Sequence, residues 1–212
     1  MNTAHPPPAA MHPDATPPRG LPTLDDRTGL RAPVVAAVLV LAALGFAYSL
    51  AGALIGGALF PAQAQGSLVE RDGKVLGSSL VAQPFADARY FQPRPSAAGY
   101  DPMAAAGSNQ ARSNPDLRRR IDGARAAVAA RDGIAPADVP ADLLTQSGGG
   151  LDPHITPDGA RAQVARVARA RGLPAAQVRA LVERHTEGPQ FGLLGQPRVN
   201  VVQLNLALDA LR

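Results

Sequence analysis

The residues whose types could do chemistry cluster between Thr145 and Gln163. Ser147-Gly148-Gly149-Gly150 is a glycine run ahead of a helical segment, and such runs can cradle phosphate through backbone N–H groups. A Walker-type loop ends in Gly-Lys-Ser/Thr, and the chain's one lysine is Lys74, so that chemistry is not assembled here. A flexible turn between helices is the plainer reading of the same glycines. Ser147, Asp152 and His154 form a Ser/His/Asp set by type alone. A hydrolase needs an exposed elbow and an oxyanion hole, and no G-x-S-x-G occurs. Asp152-Pro153-His154 reads instead as a loop stabilised by its own side chains. His154 and His185 lack the H-E-x-x-H spacing of a zinc helix, and His5 and His12 are isolated imidazoles. Neither an aspartyl-phosphate loop (Asp-Lys-Thr-Gly-Thr) nor a filter sequence such as TVGYG is present. The chain is therefore not expected to catalyse or pump by itself.

The element around which these residues must be arranged is apolar. From Ala32 to Val69 there is no Asp, Glu, Lys or Arg. The heart of that stretch, Ala32 to Phe60, exceeds the roughly 20 apolar residues that a helix needs to cross the bilayer core. A buried core helix would be shorter and would carry a polar stripe. Gly45, Gly52, Gly56 and Gly57 are small residues of the kind that let membrane helices approach closely, and Gly52 to Gly56 is a G-x-x-x-G. Ala62-Gln63-Ala64 resembles a signal cleavage site, but the apolar run is longer than the about 7–15 residues of a signal core. An uncleaved anchor is expected. Arg19, Arg27 and Arg31 precede the run, against Arg71 and Lys74 after it, which tips the N-terminus toward the cytoplasm.

Composition excludes several classes. The net charge is +4, and the first 31 residues, with three Arg and three Asp, contribute none of it. A balance so small and scattered does not argue for nucleic acid, and the absence of tryptophan argues against a base-stacking surface. Without cysteine there are no disulfides or thiolate metal sites.

In chain order, residues 1–31 are proline-rich without apolar periodicity and read as a disordered tail. Asp72-Gly73 between short apolar runs predicts a β-hairpin across Ser67 to Leu80. Pro93, Pro95 and Pro102 then block regular structure, with Arg94 read as a solvated loop charge. Asn114, Pro115 and Asp116 open a helix that Asp132-Gly133 ends, with Leu117, Ile121, Ala124 and Val128 as its buried face. Arg118 to Arg120 is read as a solvated patch. A short turn from Pro140 to Leu144 precedes the glycines. Thr156 caps and Pro157 opens a helix closed by Gly172, and a second runs from about Pro174 to His185 with Val178, Leu181 and Val182 on one side. Val199 to Arg212 fits either a strand entering a helix or a helix throughout. The fold class is thus a single N-terminal transmembrane helix (32–60) followed by one small α+β soluble domain (61–212).

Several motifs together carry a family resemblance: FPAQAQGS (Phe60 to Ser67), RYFQPRPSAAGYDP (Arg89 to Pro102), GSNQARSNP (Gly107 to Pro115), DLLTQSGGGLDPHITP (Asp142 to Pro157), RVARARGL (Arg166 to Leu173), HTEG (His185 to Gly188) and GQPRVNVVQLNLALD (Gly195 to Asp209). In this order they resemble KdpC, the C subunit of the bacterial high-affinity potassium-transporting Kdp ATPase, over about residues 33–209. Gln110-Ala111-Arg112 stands where the family usually has Leu-Gly/Ala-Pro, Gly149 replaces a usual Ser, and the tail before Arg31 is extra.

The resemblance implies a non-catalytic accessory subunit in the bacterial plasma (inner) membrane. Its N-terminus would be cytoplasmic and its C-terminal domain outside. Its partners would be a potassium-channel-like subunit, a P-type ATPase subunit and a small hydrophobic subunit. Assembly of the complex and potassium entry are the roles implied. Carboxylates such as Asp142 or Asp152 could concentrate cations near such an entrance, though the positive net charge of the domain argues against a strong effect. The alternative is a nucleotide-binding catalytic chaperone that raises ATP affinity, with Ser147, Gly148, Gly149, Gly150 and the family glutamine at Gln163 as contacts. No firmly bound cofactor is expected; ATP is the ligand that the chaperone alternative would take.

Overall fold

A computed structural model describes residues 29–211. The expected disordered head, with His5 and His12, falls largely on residues 1–28, outside the described residues. Helix α1 (Arg31–Val40), a wider π-helical segment (Leu41–Ala47) and helix α2 (Tyr48–Leu59) run on as one helix. It spans Arg31–Leu59, 29 residues, and an 18-residue stretch within it reaches a mean hydropathy of 2.4, so it is long and apolar enough to cross a membrane. None of its residues is buried, whereas a soluble core helix would hide one face. Its end is local chemistry. Phe60 leaves the helical region at φ −134° ahead of Pro61, because proline disfavours helical geometry in the residue before it. A single turn, α3 (Pro61–Ala64), follows.

The soluble domain begins with the expected hairpin, β1 (Leu68–Arg71) and β2 (Lys74–Ser78), paired antiparallel. Asp72 and Gly73 take φ of 53° and 72°, the left-handed pair that a two-residue hairpin turn requires. Helix α4 (Pro115–Asp132) is capped by the Asn114 side chain, which accepts from the Asp116 N–H, and closes on Gly133 at φ 70°. Of its four expected core residues, Val128 is buried, Ile121 and Ala124 are half-buried and pack against the core, and Leu117 is half-buried outside that packing.

Helices α5 (Pro157–Arg171) and α6 (Ala175–Arg184) form the centre of the domain. Thr156 caps α5 by accepting from Gly159 N–H, Gly172 closes it at φ 66°, and Val178, Leu181 and Val182 of α6 are buried as their spacing predicts. Strands β3 (His154–Ile155), β4 (Thr186–Glu187) and β5 (Arg198–Asn200) make a small antiparallel sheet in the order β3-β5-β4. The C-terminal segment resolves into a strand entering a helix. Asn200 ends β5 and its side chain accepts from Gln203 N–H, capping α7 (Val201–Asp209). Phe91, Val167, Val178, Val199, Leu204 and Leu208 are wholly enclosed, and burying each such side chain contributes about 1.5–3 kcal/mol.

Candidate functional site

The motif RYFQPRPS has no regular structure, yet side chains from two helices grip its backbone. Phe91 N–H donates to Asn205 Oδ1 (2.8 Å), and Asn205 Nδ2 donates back to the Phe91 carbonyl (3.0 Å). One residue on, Gln92 N–H donates to Gln163 Oε1 (2.8 Å) and Gln163 Nε2 donates to the Gln92 carbonyl (3.1 Å). Successive residues of an extended chain turn their backbone groups to opposite sides. The strap is therefore held by α7 on one side and α5 on the other, with side-chain amides replacing neighbouring strands. Pro93 and Pro95 suit this place because they have no N–H needing a partner.

Gln163 is thus an internal clasp. It is fully buried, and its Nε2 also meets the Gly159 carbonyl at 3.1 Å. Its Oε1 accepts a second bond, from Arg166 Nη2 (2.7 Å). Arg166 in turn donates to Asp132 Oδ1 (2.6 Å) and to the carbonyls of Ala88 (2.5 Å) and Tyr90 (2.9 Å). The Asp132 side chain is completely enclosed and is also bound by Arg131. Sequence reading missed Asp132, Arg166 and Asn205 as polar core residues. One signal was available for Gln163: it lies three residues after Ala160 and four before Val167, on the buried stripe of α5.

The glycine loop meets the same strap further along. Ser147 is buried, and its N–H reaches the Pro95 carbonyl at 3.3 Å. Gly150 is at φ 72°, its carbonyl accepts from Ser96 Oγ (2.6 Å), and a Cβ there would lie 2.9 Å from the Ala106 carbonyl. Gly150 is required by the turn. Gly148 and Gly149 are exposed with open space where a Cβ would stand. The loop and Gln163 are therefore linked through the strap, at Pro95 and Gln92, and the Gln163 side chain is enclosed within the domain.

Two readings from sequence change. Arg94 is not a solvated loop charge: it donates to Asp152 Oδ2 (3.3 Å) and to the Gln146 carbonyl (3.3 Å), because the two prolines hold it over the Thr145–Asp152 loop. Arg120 likewise leaves the solvated arginine patch to bond Gln146 Oε1 at 2.5 Å. Asp152-Pro153-His154 does stabilise itself, with Asp152 Oδ1 accepting from His154 N–H at 3.0 Å and lying 3.2 Å from Nδ1. Among the described residues no hydrogen bond joins Ser147 to His154, so the contact on which a triad depends is not made.

Arg94, Asp142, Asp152, His154 and Arg198 line a shallow cleft of about 160 Å³. Burial pushes the Asp152 pKa up, but the hydrogen bonds from His154, with its charge and that of Arg94, outweigh this and leave the carboxyl below its ordinary value. A carboxyl with a lowered folded-state pKa adds stability above its ordinary value and loses it as pH falls through the lowered one. Domain stability should therefore drop on acidification below about pH 4, the ordinary carboxylate range. Asp152→Asn should flatten that part of the stability–pH curve, read by thermal unfolding of the detergent-solubilised chain.

Asp142 sits against the first turn of α5. Its Oδ2 accepts from Thr156 N–H at 2.7 Å, and the bare Cα of Gly159 makes room for it: a Cβ there would come within 2.6 Å of Oδ2. Gly159→Ala should displace the carboxylate and cost about 1–3 kcal/mol, measurable as a lowered unfolding temperature.

The family model described as "KdpC: K+-transporting ATPase, c chain" matches residues 30–210. The Potassium-transporting ATPase KdpC subunit of Xanthomonas oryzae pv. oryzae is 66% identical over 189 residues, covering 89% of this chain and 90% of the relative. The subunits of the same name from Sorangium cellulosum and Shewanella putrefaciens are 54% and 52% identical, covering 85% of this chain and 97% and 89% of their own lengths. The clasped strap, the glycine loop and the apolar helix all lie within the matched span, and the chain belongs to the KdpC family, the c chain of K+-transporting ATPases.

Proposed function

We propose that the chain is a non-catalytic accessory subunit of an ATP-driven, high-affinity potassium import complex, needed for its assembly. The apolar helix lies in the bacterial plasma (inner) membrane and packs on helices of partner subunits. The N-terminus is cytoplasmic and the α+β domain stands outside, near the route by which potassium enters. A potassium-channel-like subunit, a P-type ATPase subunit and a small hydrophobic subunit are the partners.

The observation that carries this reading is the helix Arg31–Leu59 in a member of this family. It buries none of its residues, and Gly45, Gly52 and Gly56 have open space beside them, which is how small residues admit a second helix. Purification of the full chain from its native membrane in mild detergent should bring the channel-like and ATPase subunits with it, and Gly52→Ile with Gly56→Ile should reduce their recovery. Recovery of the chain alone, clipped after the helix, would overturn the reading.

A second reading has the domain raise ATP affinity through Ser147 to Gly150 and Gln163. One observation favours it: Gly148 and Gly149 are exposed and uncrowded. Against it, both amide atoms of Gln163 are already engaged inside the domain. An outer domain would also be separated from cytosolic ATP by about 30 Å of hydrocarbon. The chain has no cysteine, so a single Ala130→Cys on the exposed side of α4 reports the side of the membrane. Labelling by an impermeant thiol reagent from outside is expected; labelling from the cytoplasmic side alone would favour the nucleotide reading.

A further inference from the structure

Between β4 and β5 the chain makes a tight hairpin tip, Pro189 to Gly195, that turns its largest side chains outward. Phe191, Leu193 and Leu194 are 83%, 86% and 62% exposed. The tip is held in one shape. Gln190 and Leu194 exchange backbone hydrogen bonds of 2.8 and 2.9 Å, and Gly192 N–H reaches the Pro189 carbonyl at 3.0 Å. Gly192 and Gly195 supply positive φ for the reversal, but so does Phe191, at 56°. A bulky residue in the left-handed region is strained, and strain retained in a rigid, exposed loop points to use of that loop. Closing β4 onto β5 needs neither a phenylalanine in that conformation nor three large apolar side chains in water.

We propose that this tip is a docking finger that seats in an apolar, uncharged recess on another chain of the transporter; the proposal rests on the accessory-subunit reading. Charge decides between a protein and a lipid surface. Amphipathic helices that lie in the membrane interface carry Lys and Arg beside their apolar face, which anionic lipid attracts. Here the flanking charges are Glu187 and Arg198, and they neutralise each other across a 3.0 Å ion pair at the base of the finger. A fixed shape matters for a recess, where preorganisation lowers the entropic cost of association, and matters little in fluid lipid.

The test uses the full chain co-expressed with its transporter in native membranes. A benzophenone-bearing amino acid in place of Phe191 should crosslink to another transporter chain. Phe191→Gly with Leu193→Ser should lower partner recovery about ten-fold or more, as expected when central apolar anchors are lost. Glycine is at home at that φ, so the domain should unfold no earlier than the wild type. Crosslinks only to lipid or to a second copy of this chain, no crosslink from a benzophenone-bearing chain that co-purifies with the transporter, or undiminished recovery of the double variant would each overturn the finger while leaving the subunit reading standing. A wild type recovered without the transporter would overturn both.

Discussion

Asp132→Ala is expected to destabilise the soluble domain by about 3–5 kcal/mol, the range seen when one partner of a buried ion pair is removed. The Asp132 side chain has no exposed surface and that of Arg166 has 7%. Burial already pulls the Arg166 pKa below its ordinary value, and the hydrogen bond and charge of Asp132 are what oppose that pull. Without the carboxylate the guanidinium stays enclosed with its Nε unpaired. Asp132→Asn should be milder, since an amide oxygen can still accept from Nε.

A double variant, Asp132→Leu with Arg166→Met, distinguishes two roles. Where a buried pair only balances itself, apolar replacement of both partners is often neutral or stabilising. Here Arg166 also bonds the carbonyls of Ala88 and Tyr90 and the Gln163 amide, so those acceptors would be left unmatched. Recovery of stability should therefore be partial, read as a denaturant midpoint between the Asp132→Ala variant and the wild type. Complete recovery would show that the strap does not depend on Arg166.

Elements carried by local chemistry were legible in the sequence. The hairpin at Asp72-Gly73, the caps at Asn114 and Thr156, and the closures at Gly133 and Gly172 each follow from the φ preferences and hydrogen-bonding reach of one or two residues. What escaped depends on residues distant in the chain. Asp132 reads as a helix-ending acid until Arg166, 34 positions on, is packed beside it. Arg94 reads as solvated until the Thr145–Asp152 loop folds under it. The strap reads as loop because its prolines exclude regular structure, while the groups that order it are amides on α5 and α7. Leu117 misled in the opposite sense: its spacing continues the face on which Ile121 and Ala124 pack against the core, and spacing cannot say how far along a helix that cover reaches.

Gln163→Ala is expected to cost the domain about 2–5 kcal/mol, because several buried groups lose a partner together, at about 1–3 kcal/mol for each one left unsatisfied. The Gln92 N–H and carbonyl, the Gly159 carbonyl and Arg166 Nη2 all bond this amide, and alanine offers none of them anything while opening a cavity beside Val167. Gln163→Glu keeps the oxygen for Gln92 N–H and Arg166 but turns the Nε2 donor into an acceptor facing two carbonyls, so it should also destabilise. These expectations bear on the nucleotide reading. If Gln163 acts as a clasp, any loss of ATP affinity in the purified complex should track the fraction of variant domain that has unfolded. It should then vanish at a temperature low enough to keep the variant folded. A loss of ATP affinity in a Gln163→Ala complex whose unfolding temperature matches the wild type would require the glutamine to leave its buried site and meet nucleotide directly.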